Sequence, residues 1–513
     1  MIYFIVILVI IALYFYGTRN YKYWELKGIK HDKPLPFVGN NARNYLMQKS
    51  ATELAAEAYW KYPSERVVGF YRATRPELVI RDPQLFKKIL TTDFFYFYPR
   101  GLNTHKIIIE PMLRNLFFAD GDLWRLLRQR LTPAFTSGKL RAMFPLIVER
   151  AELLQNRILQ ASEQSPVIDA RDLMARYTID FIGACGFGLN ADSLKEDDSE
   201  FRKLGTQIFQ INAVNVAKNF LKELFPGTFK HLKFLDSVEK TIVKLLKEVL
   251  RQRNYEPSNR NDFVDLLIEC KKKGTIIGES IEKVNEDGKG ETAELHIDDE
   301  LLAAQMFVFF AAGFETSSSA TSTALNELAH NPRVQLKVQG EIDKVLAKYN
   351  NKLTYEAVKE MTYLEWTFKE AMRVFPSLGF LIRESARKYT FEDLNLTIDE
   401  GVTIMIPLQA LHNDPQYFED PQQFRPERFD PSNPDLHLFK DVYLPFGEGP
   451  RACIGLRLGL MQSLAGLAAV LARYTVSPAP GAPRRPPVSP ASDIVQSVVG
   501  GVPLIFEPRT LNN

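Results

Sequence analysis

Residues 445–455 read Pro445-Phe446-Gly447-Glu448-Gly449-Pro450-Arg451-Ala452-Cys453-Ile454-Gly455 and lead straight into LRLGLMQSLAGLAAVLARY. Gly447, Gly449 and Pro450 bend the backbone into a tight loop whose amides can turn inward toward a sulfur. Cys453 then stands at the mouth of an amphipathic helix, where amide dipoles lower the pKa of a thiol and hold it as thiolate. A buried cysteine at a helix start is common in itself, and Cys185 and Cys270 are read in that way. That reading leaves Phe446, the glycines and Arg451 unexplained at their offsets from Cys453.

The next informative stretch lies upstream. Residues 301–328 read LLAAQMFVFFAAGFETSSSATSTALNEL and follow Asp298-Asp299-Glu300, acids that suit a helix N-terminus. Through Phe310 the segment is apolar on every side, which predicts a buried helix. Ala311-Ala312-Gly313-Phe314-Glu315-Thr316-Ser317 then interrupts it with small and polar residues. Ala312, Gly313 and Thr316 share one face by their three- and four-residue spacing. The hydroxyls of Ser318, Ser319 and Thr321 are expected to bond back to carbonyls of their own helix, and that of Thr316 is not.

Lys and Arg (64) nearly balance Asp and Glu (62), leaving a net charge of +2. No basic stripe marks a nucleic-acid binder. Three scattered cysteines do not staple a secreted fold and fit a reduced compartment. With 45% hydrophobic residues, 35 Phe and 20 Tyr, the 513-residue chain has material for a large core.

Residues 2–16 (IYFIVILVIIALYFY) hold no charge. From Met1 to Thr18 the segment spans ~27 Å as a helix, against a hydrocarbon core of ~30 Å. Arg19, Lys22, Lys27 and Lys30 follow it, which places the downstream chain in the cytoplasm. It has neither a basic n-region nor a small-x-small cleavage site, so residues 1–18 read as an uncleaved anchor rather than a signal peptide. Residues 19–40 read as a basic and proline hinge, and residues 41–513 as one large body, mainly α with minor β. From about residue 52 to 384 apolar recurrence predicts helices, 237–253, 334–349 and 364–374 among them. Residues 271–296, charged and punctuated by glycine, read as a solvated loop. Strand pieces are expected at 388–397 and 401–407, and the prolines of 478–490 exclude a regular helix or central strand there.

Phe446, Gly447, Gly449, Arg451, Cys453 and Gly455 fill every defining position of Phe-Gly-x-Gly-x-Arg-x-Cys-x-Gly. On them the chain resembles the cytochrome P-450 family, over essentially its whole length. Further motifs follow in the family's order. Trp124 with Arg128 looks like its Trp-x-x-x-Arg helix, Glu370 with Arg373 like its Glu-x-x-Arg helix, and Ala312 to Ser317 like its oxygen-activating turn. The hinge carries two prolines where relatives often have more.

The resemblance implies a P-450 fold preceded by one transmembrane anchor helix, with haem b between the 301–328 helix and the Cys453 loop. Cys453 would ligate the iron, with Phe446, Gly447, Gly455, Ala312 and Gly313 against the haem. Trp124, Arg128, Arg383 and Arg451 would hold its propionates. Glu315 and Thr316 would deliver protons, while Glu370 between Arg373 and Arg428 would be architectural. Phe117, Val308, Leu378, Leu381 and Val499 are pocket candidates by family register.

The implied reaction inserts one oxygen atom of O₂ into lipophilic small molecules. The stretches RGLNTHK, AAGFETSSS and PFGEGPRACIGLRLG are most like the insect microsomal branch, which clears xenobiotics, plant toxins and insecticides. NADPH–cytochrome reductase would supply electrons, with cytochrome b5 as a further donor, at basic residues such as Arg125, Arg130 and Arg457. The expected location is the endoplasmic reticulum membrane, with the catalytic body on the cytoplasmic side. Two other readings stay open here: a haem-thiolate isomerase or dehydratase acting on peroxides, and a non-catalytic haem sensor. Neither needs Glu315 and Thr316.

Overall fold

The computed structural model describes residues 1–210, 212–258, 260, 262–285, 288–492 and 494–510. The apolar run beginning at Leu301 folds into a 32-residue helix, Asp299–His330, hereafter the central helix. The Asp298 carboxylate caps it, accepting the Leu301 N–H at 2.6 Å. The helices Ala170–Ile182, Asp236–Gln252, Thr362–Val374 and Leu456–Arg473 pack around it in one apolar core. The predicted helices are found within a few residues of their expected ends.

Among the described residues, eleven strands supply the minor β component. In chain order they are β1 (Val67–Arg72), β2 (Arg75–Ile80), β3 (Ile168–Asp169), β4 (Thr275–Val284), β5 (Gly290–His296) and β6 (Leu381–Glu384). There follow β7 (Tyr389–Phe391), β8 (Leu396–Ile398), β9 (Thr403–Ile406), β10 (Tyr474–Pro478) and β11 (Pro503–Pro508). The main sheet has the order β1-β2-β9-β6, with β2 and β9 parallel and the other pairs antiparallel. A second apolar cluster, including Trp24, Phe97, Ile404 and Leu408, surrounds this sheet. β10, β11 and β3 form a second sheet, and β4–β5 and β7–β8 are hairpins.

Two expectations need correction. The stretch read as mostly helical also holds β1 and β2, whose short β-branched and aromatic runs are joined by a turn at Ala73, φ +50°. Thr275–Val284 and Gly290–His296 are not a solvated loop between helices but the paired strands β4 and β5, with Ile281 buried and Ser280 donating to Asp122; residues 286 and 287 of the expected loop lie outside the described residues. Alternating charges there mark an exposed ribbon face, and the partner that fixes it lies about 160 residues away.

The helix Ile2–Thr18 exposes apolar side chains on all sides through Phe15. Its last turn is docked on the body. Tyr16 donates to Leu224 O at 2.7 Å and its ring stacks on Phe225 at 5.2 Å, while Phe37 N–H reaches Gly17 O at 3.1 Å.

Candidate active site

The Cys453 loop is shaped by its backbone. The N–H of Cys453 donates to Phe446 O, that of Ala452 to Gly449 O and that of Gly447 to Leu444 O, each at 2.9 Å. Gly447 and Gly449 sit at φ +69° and +72°. A Cβ on Gly449 would stand 1.8 Å from Leu90 O, so only glycine lets the loop pass that strand of chain. Gly455 caps the Leu456–Arg473 helix, and its N–H points to the Cys453 sulfur.

Burial pushes the Cys453 thiol up, against the Gly455 N–H and the charges of Arg128 and Arg100, which pull it down. The expected lowering by amide dipoles is thus outweighed by desolvation in the free thiol. Coordination to a metal ion removes that proton outright. Cys453 nevertheless exposes surface. A side chain both desolvated and surface-exposing borders an internal space.

Four guanidinium groups converge beside it. Arg128 Nη1 donates to Ala452 O at 2.9 Å. Arg451 donates to Tyr98 O at 2.9 Å and to Asp120 Oδ1 at 2.8 Å, and lies 4.2 Å above the buried Trp124 ring. Arg383 donates to Ile382 O at 2.7 Å. Arg100, which sequence reasoning missed, donates to Phe117 O at 2.8 Å and to Arg451 O at 3.3 Å. Its only sequence signal is a place in the turn Pro99-Arg100-Gly101, where Gly101 has φ +65°.

These cations are short of counter-charge. Burial lowers Arg100 to about 10 and Arg383 to about 9, and lowers Arg128 and Arg451 as well. Mutual repulsion adds to this for Arg100, Arg383 and Arg451, and Asp120 is the acid that offsets those three. Arg383 Nε and Arg451 Nη1 are buried without an acceptor. A group carrying two carboxylates would answer both deficits. The donor set therefore fits the two propionates of a haem.

Across the central helix, Ala312 is exposed although Ala311 and Phe314 beside it are buried at 8% and 4%. The side chain of Ala312 therefore faces internal space too. Gly313 serves packing: a Cβ there would stand 2.4 Å from Ile182. Its missing side chain admits the neighbouring helix.

The Thr316 hydroxyl donates back to Ala312 O at 2.8 Å, also against expectation. Ser318 and Thr321 back-bond as expected, to Glu315 O at 3.1 Å and Ser317 O at 2.7 Å, whereas Ser319 reaches Gln496 O at 3.5 Å. Glu315 is ion-paired with Arg171, whose other nitrogen donates to Ser318 Oγ at 2.5 Å. Gln462 of the cysteine helix donates to Ser317 Oγ at 2.6 Å. Arg171, Gln462 and Gln496 were not visible in the motif.

The cytochrome P-450 family model matches residues 30–499. The chain belongs to the cytochrome P-450 family. Cytochrome P-450 6B1 of Papilio polyxenes is 37% identical over 484 residues, covering 93% of this chain and 94% of that protein. Cytochrome P-450 6a2 of Drosophila melanogaster is 36% identical over 516 residues, 99% of each chain. Cytochrome P-450 6B6 of Helicoverpa armigera is 33% identical over 519 residues, 99% of this chain and 98% of that one. This P-450 is accordingly a haem-iron monooxygenase that takes electrons from a reductase and binds lipophilic substrates, in a family associated with xenobiotic detoxification.

Behind the loop of this P-450 stands a fully buried ion triad. Glu370 accepts from Arg373 Nε at 2.8 Å and Nη2 at 2.9 Å, from Arg428 Nε at 3.3 Å and from the Arg425 N–H at 3.0 Å. Of the pocket candidates, Val308 is buried in the core, Phe117 lies under Arg100, Leu378 bridges to Val495, and Leu381 approaches Gly447. Val499 is 53% exposed. The docking candidates are already engaged: Arg125 with Glu279, Arg130 with Glu269 and Arg457 with Ser137.

Proposed function

We propose that this chain binds haem b through Cys453 and oxidises lipophilic foreign compounds, such as plant toxins and insecticides, at the endoplasmic reticulum. The observation that carries this reading is the arginine cluster at the Cys453 loop: four guanidiniums, one offsetting acid and two orphaned donors. In this reading Arg100, Arg128, Arg383 and Arg451 hold the two propionates, and Trp124 keeps Arg451 in place by lying under its guanidinium. Phe446, Gly447 and Gly455 keep the loop low enough for the sulfur to reach the iron. When bound, the haem iron supplies the redox chemistry by which one atom of O₂ enters substrate and the other becomes water.

The remaining roles belong to side chains of the central helix. Ala312, open among buried neighbours, would leave room beside the haem group. Thr316 keeps a free acceptor lone pair while donating to Ala312 O, and Glu315 holds a carboxylate one residue away. Together they position a proton for the oxygen site. Residues 1–18 form the anchor and 19–40 the hinge that seats the 41–513 body on the cytoplasmic face. NADPH–cytochrome reductase, with cytochrome b5 as a further donor, docks on the side of the Cys453 loop.

The full chain, reconstituted with reductase in vesicles, is assayed on a panel of lipophilic plant compounds and insecticides with NADPH. The expected result is NADPH-dependent oxygenated product and a strongly red-shifted Soret band in the reduced, carbon monoxide-bound protein. A normal band without product from any panel member would overturn the detoxification reading. Carbonate extraction that released the chain would overturn the anchor.

A further inference from the structure

The outward face of the Gly121–Leu131 helix is covered by β4. Residues 122, 125, 126 and 129 share one side of this helix by their spacing, and each meets the hairpin. Asp122 accepts the Ser280 hydroxyl at 2.8 Å and the Ile281 N–H at 2.7 Å. Arg125 pairs with Glu279 at 3.3 Å. A Cβ on Gly278 would stand 2.7 Å from Leu126 and 3.0 Å from Gln129, so glycine is what lets the strand lie directly on the helix.

The hairpin is acidic. Residues 275–296 carry six acidic side chains against two lysines, and Glu279, Glu282, Glu291 and Glu294 are exposed. From the adjoining face of the same helix Arg128 reaches Ala452 O, one residue from Cys453. The same helix therefore carries both the ribbon and a contact to the Cys453 loop, and Glu279 neutralises Arg125 charge that would otherwise face a partner there.

We infer that the β4–β5 hairpin is a built-in acidic cover whose Glu279 competes with an acidic electron-donating flavoprotein for Arg125. This rests on the proposal above that the reductase docks on the side of the Cys453 loop. Ile281 and the Asp122 bonds hold the ribbon in place, so the competition is for the Arg125 charge and not for the whole surface. Exposed ion pairs are weak and screened by salt, so the cover tunes association without blocking it.

The test uses the full chain in vesicles with purified reductase at low ionic strength, and reads the reductase concentration giving half-maximal turnover. Glu279→Gln is expected to lower it roughly two- to fivefold, Glu279→Lys further, with both differences vanishing at high salt. Peroxide-supported turnover and the carbon monoxide band are expected to stay unchanged, which also reports that the variants fold. Arg125→Glu is expected to raise the half-saturating concentration.

If Arg125→Glu does so while both Glu279 variants match the parent, the cover is overturned and the docking proposal stands. If Arg125→Glu changes nothing, the docking proposal falls and the cover with it. If Glu291→Gln acts as strongly as Glu279→Gln, a general field replaces the specific competition and the inference is overturned.

Discussion

The Cys453 loop and the Ala311–Ser317 turn each leave one side chain open among buried or half-buried neighbours, yet they are built on different principles. The loop is held by backbone: three N–H donors at 2.9 Å and two glycines at positive φ, one of them hard against Leu90 O. The helix turn keeps ordinary helical backbone, and its character comes from distant side chains: Arg171 on Glu315, Gln462 on Ser317 and Ile182 against Gly313. A backbone-shaped site is written in a short motif. A site shaped by partners is written only in the assembled fold.

The largest expected effect tests the chemistry on which the comparison rests. Cys453→Ala should abolish monooxygenation and the red-shifted carbon monoxide band, whereas Cys185→Ala and Cys270→Ala should keep both. Those two cysteines are buried, and burial raises both thiols, Cys185 to about 12. Loss of the band in either of them would move the ligand elsewhere and dissolve the comparison.

Next comes the claim that the loop stands on its own backbone. Glu370→Ala strands Arg373 and Arg428, both about fully buried, and losing one partner of a buried pair typically costs ~3–5 kcal/mol. Chemical unfolding should show a loss of that size, with less haem-loaded protein recovered. A loss under ~1 kcal/mol, the range of an exposed pair, would mean that the 420–428 segment is held by something other than the triad.

On the helix side the expected effect is smaller and kinetic. Thr316→Ala should lower product formed per NADPH and divert electrons to hydrogen peroxide. A lost general-acid contribution of ~10² corresponds to ~2.7 kcal/mol, and substitute water would reduce it. Thr316→Ser keeps a hydroxyl that can make the same bond to Ala312 O, so it should retain most coupling. Equal coupling in parent, Ala and Ser variants would remove the proton-positioning role and make Thr316 a packing residue.

The legibility of the chain follows the same division. The central helix and the cysteine helix were readable because periodicity encodes them locally, whereas Arg428 of the Glu370 triad, 58 residues from Glu370, came only from the family pattern. Trp124, Arg128, Arg383 and Arg451 were readable only through the family pattern, and they do converge at the Cys453 loop. Arg100 was not, since a lone arginine in a turn is indistinguishable from a surface charge until Asp120 and Phe117 are seen around it. The β4–β5 hairpin was misread because its pairing with Asp122 is non-local. The direction of the Cys453 thiol shift was misread because the dipole at a helix mouth is a local feature, and burial is not.

His412 supplies the smallest expected effect and the finest test of the contrast, because it is a side chain that touches the backbone-built side. Its Nε2 accepts the Leu444 N–H at 3.1 Å just before the loop, and its carbonyl accepts Arg373 Nη1 at 2.9 Å from the triad. Complete burial, reinforced by the Arg373 charge, lowers its pKa to about 3. The unfolded chain titrates near ~6.5, so between these values it binds the proton and the folded chain does not. The folded-state pKa is depressed, so the contribution is fully present above ~6.5 and is lost as pH falls toward 3, at ~1.4 kcal/mol per unit. At pH ~5 the loss is ~2 kcal/mol. His412→Gln, which offers an amide oxygen to Leu444 N–H without titrating, should flatten the stability profile between pH ~6.5 and ~4 by up to one proton. In the parent, the thiolate band should disappear together with global unfolding. Loss of the band at a higher pH than unfolding would mean that protonated His412 releases the loop locally. The loop would then depend on a partner side chain as the helix turn does, and the contrast between the two regions would fail.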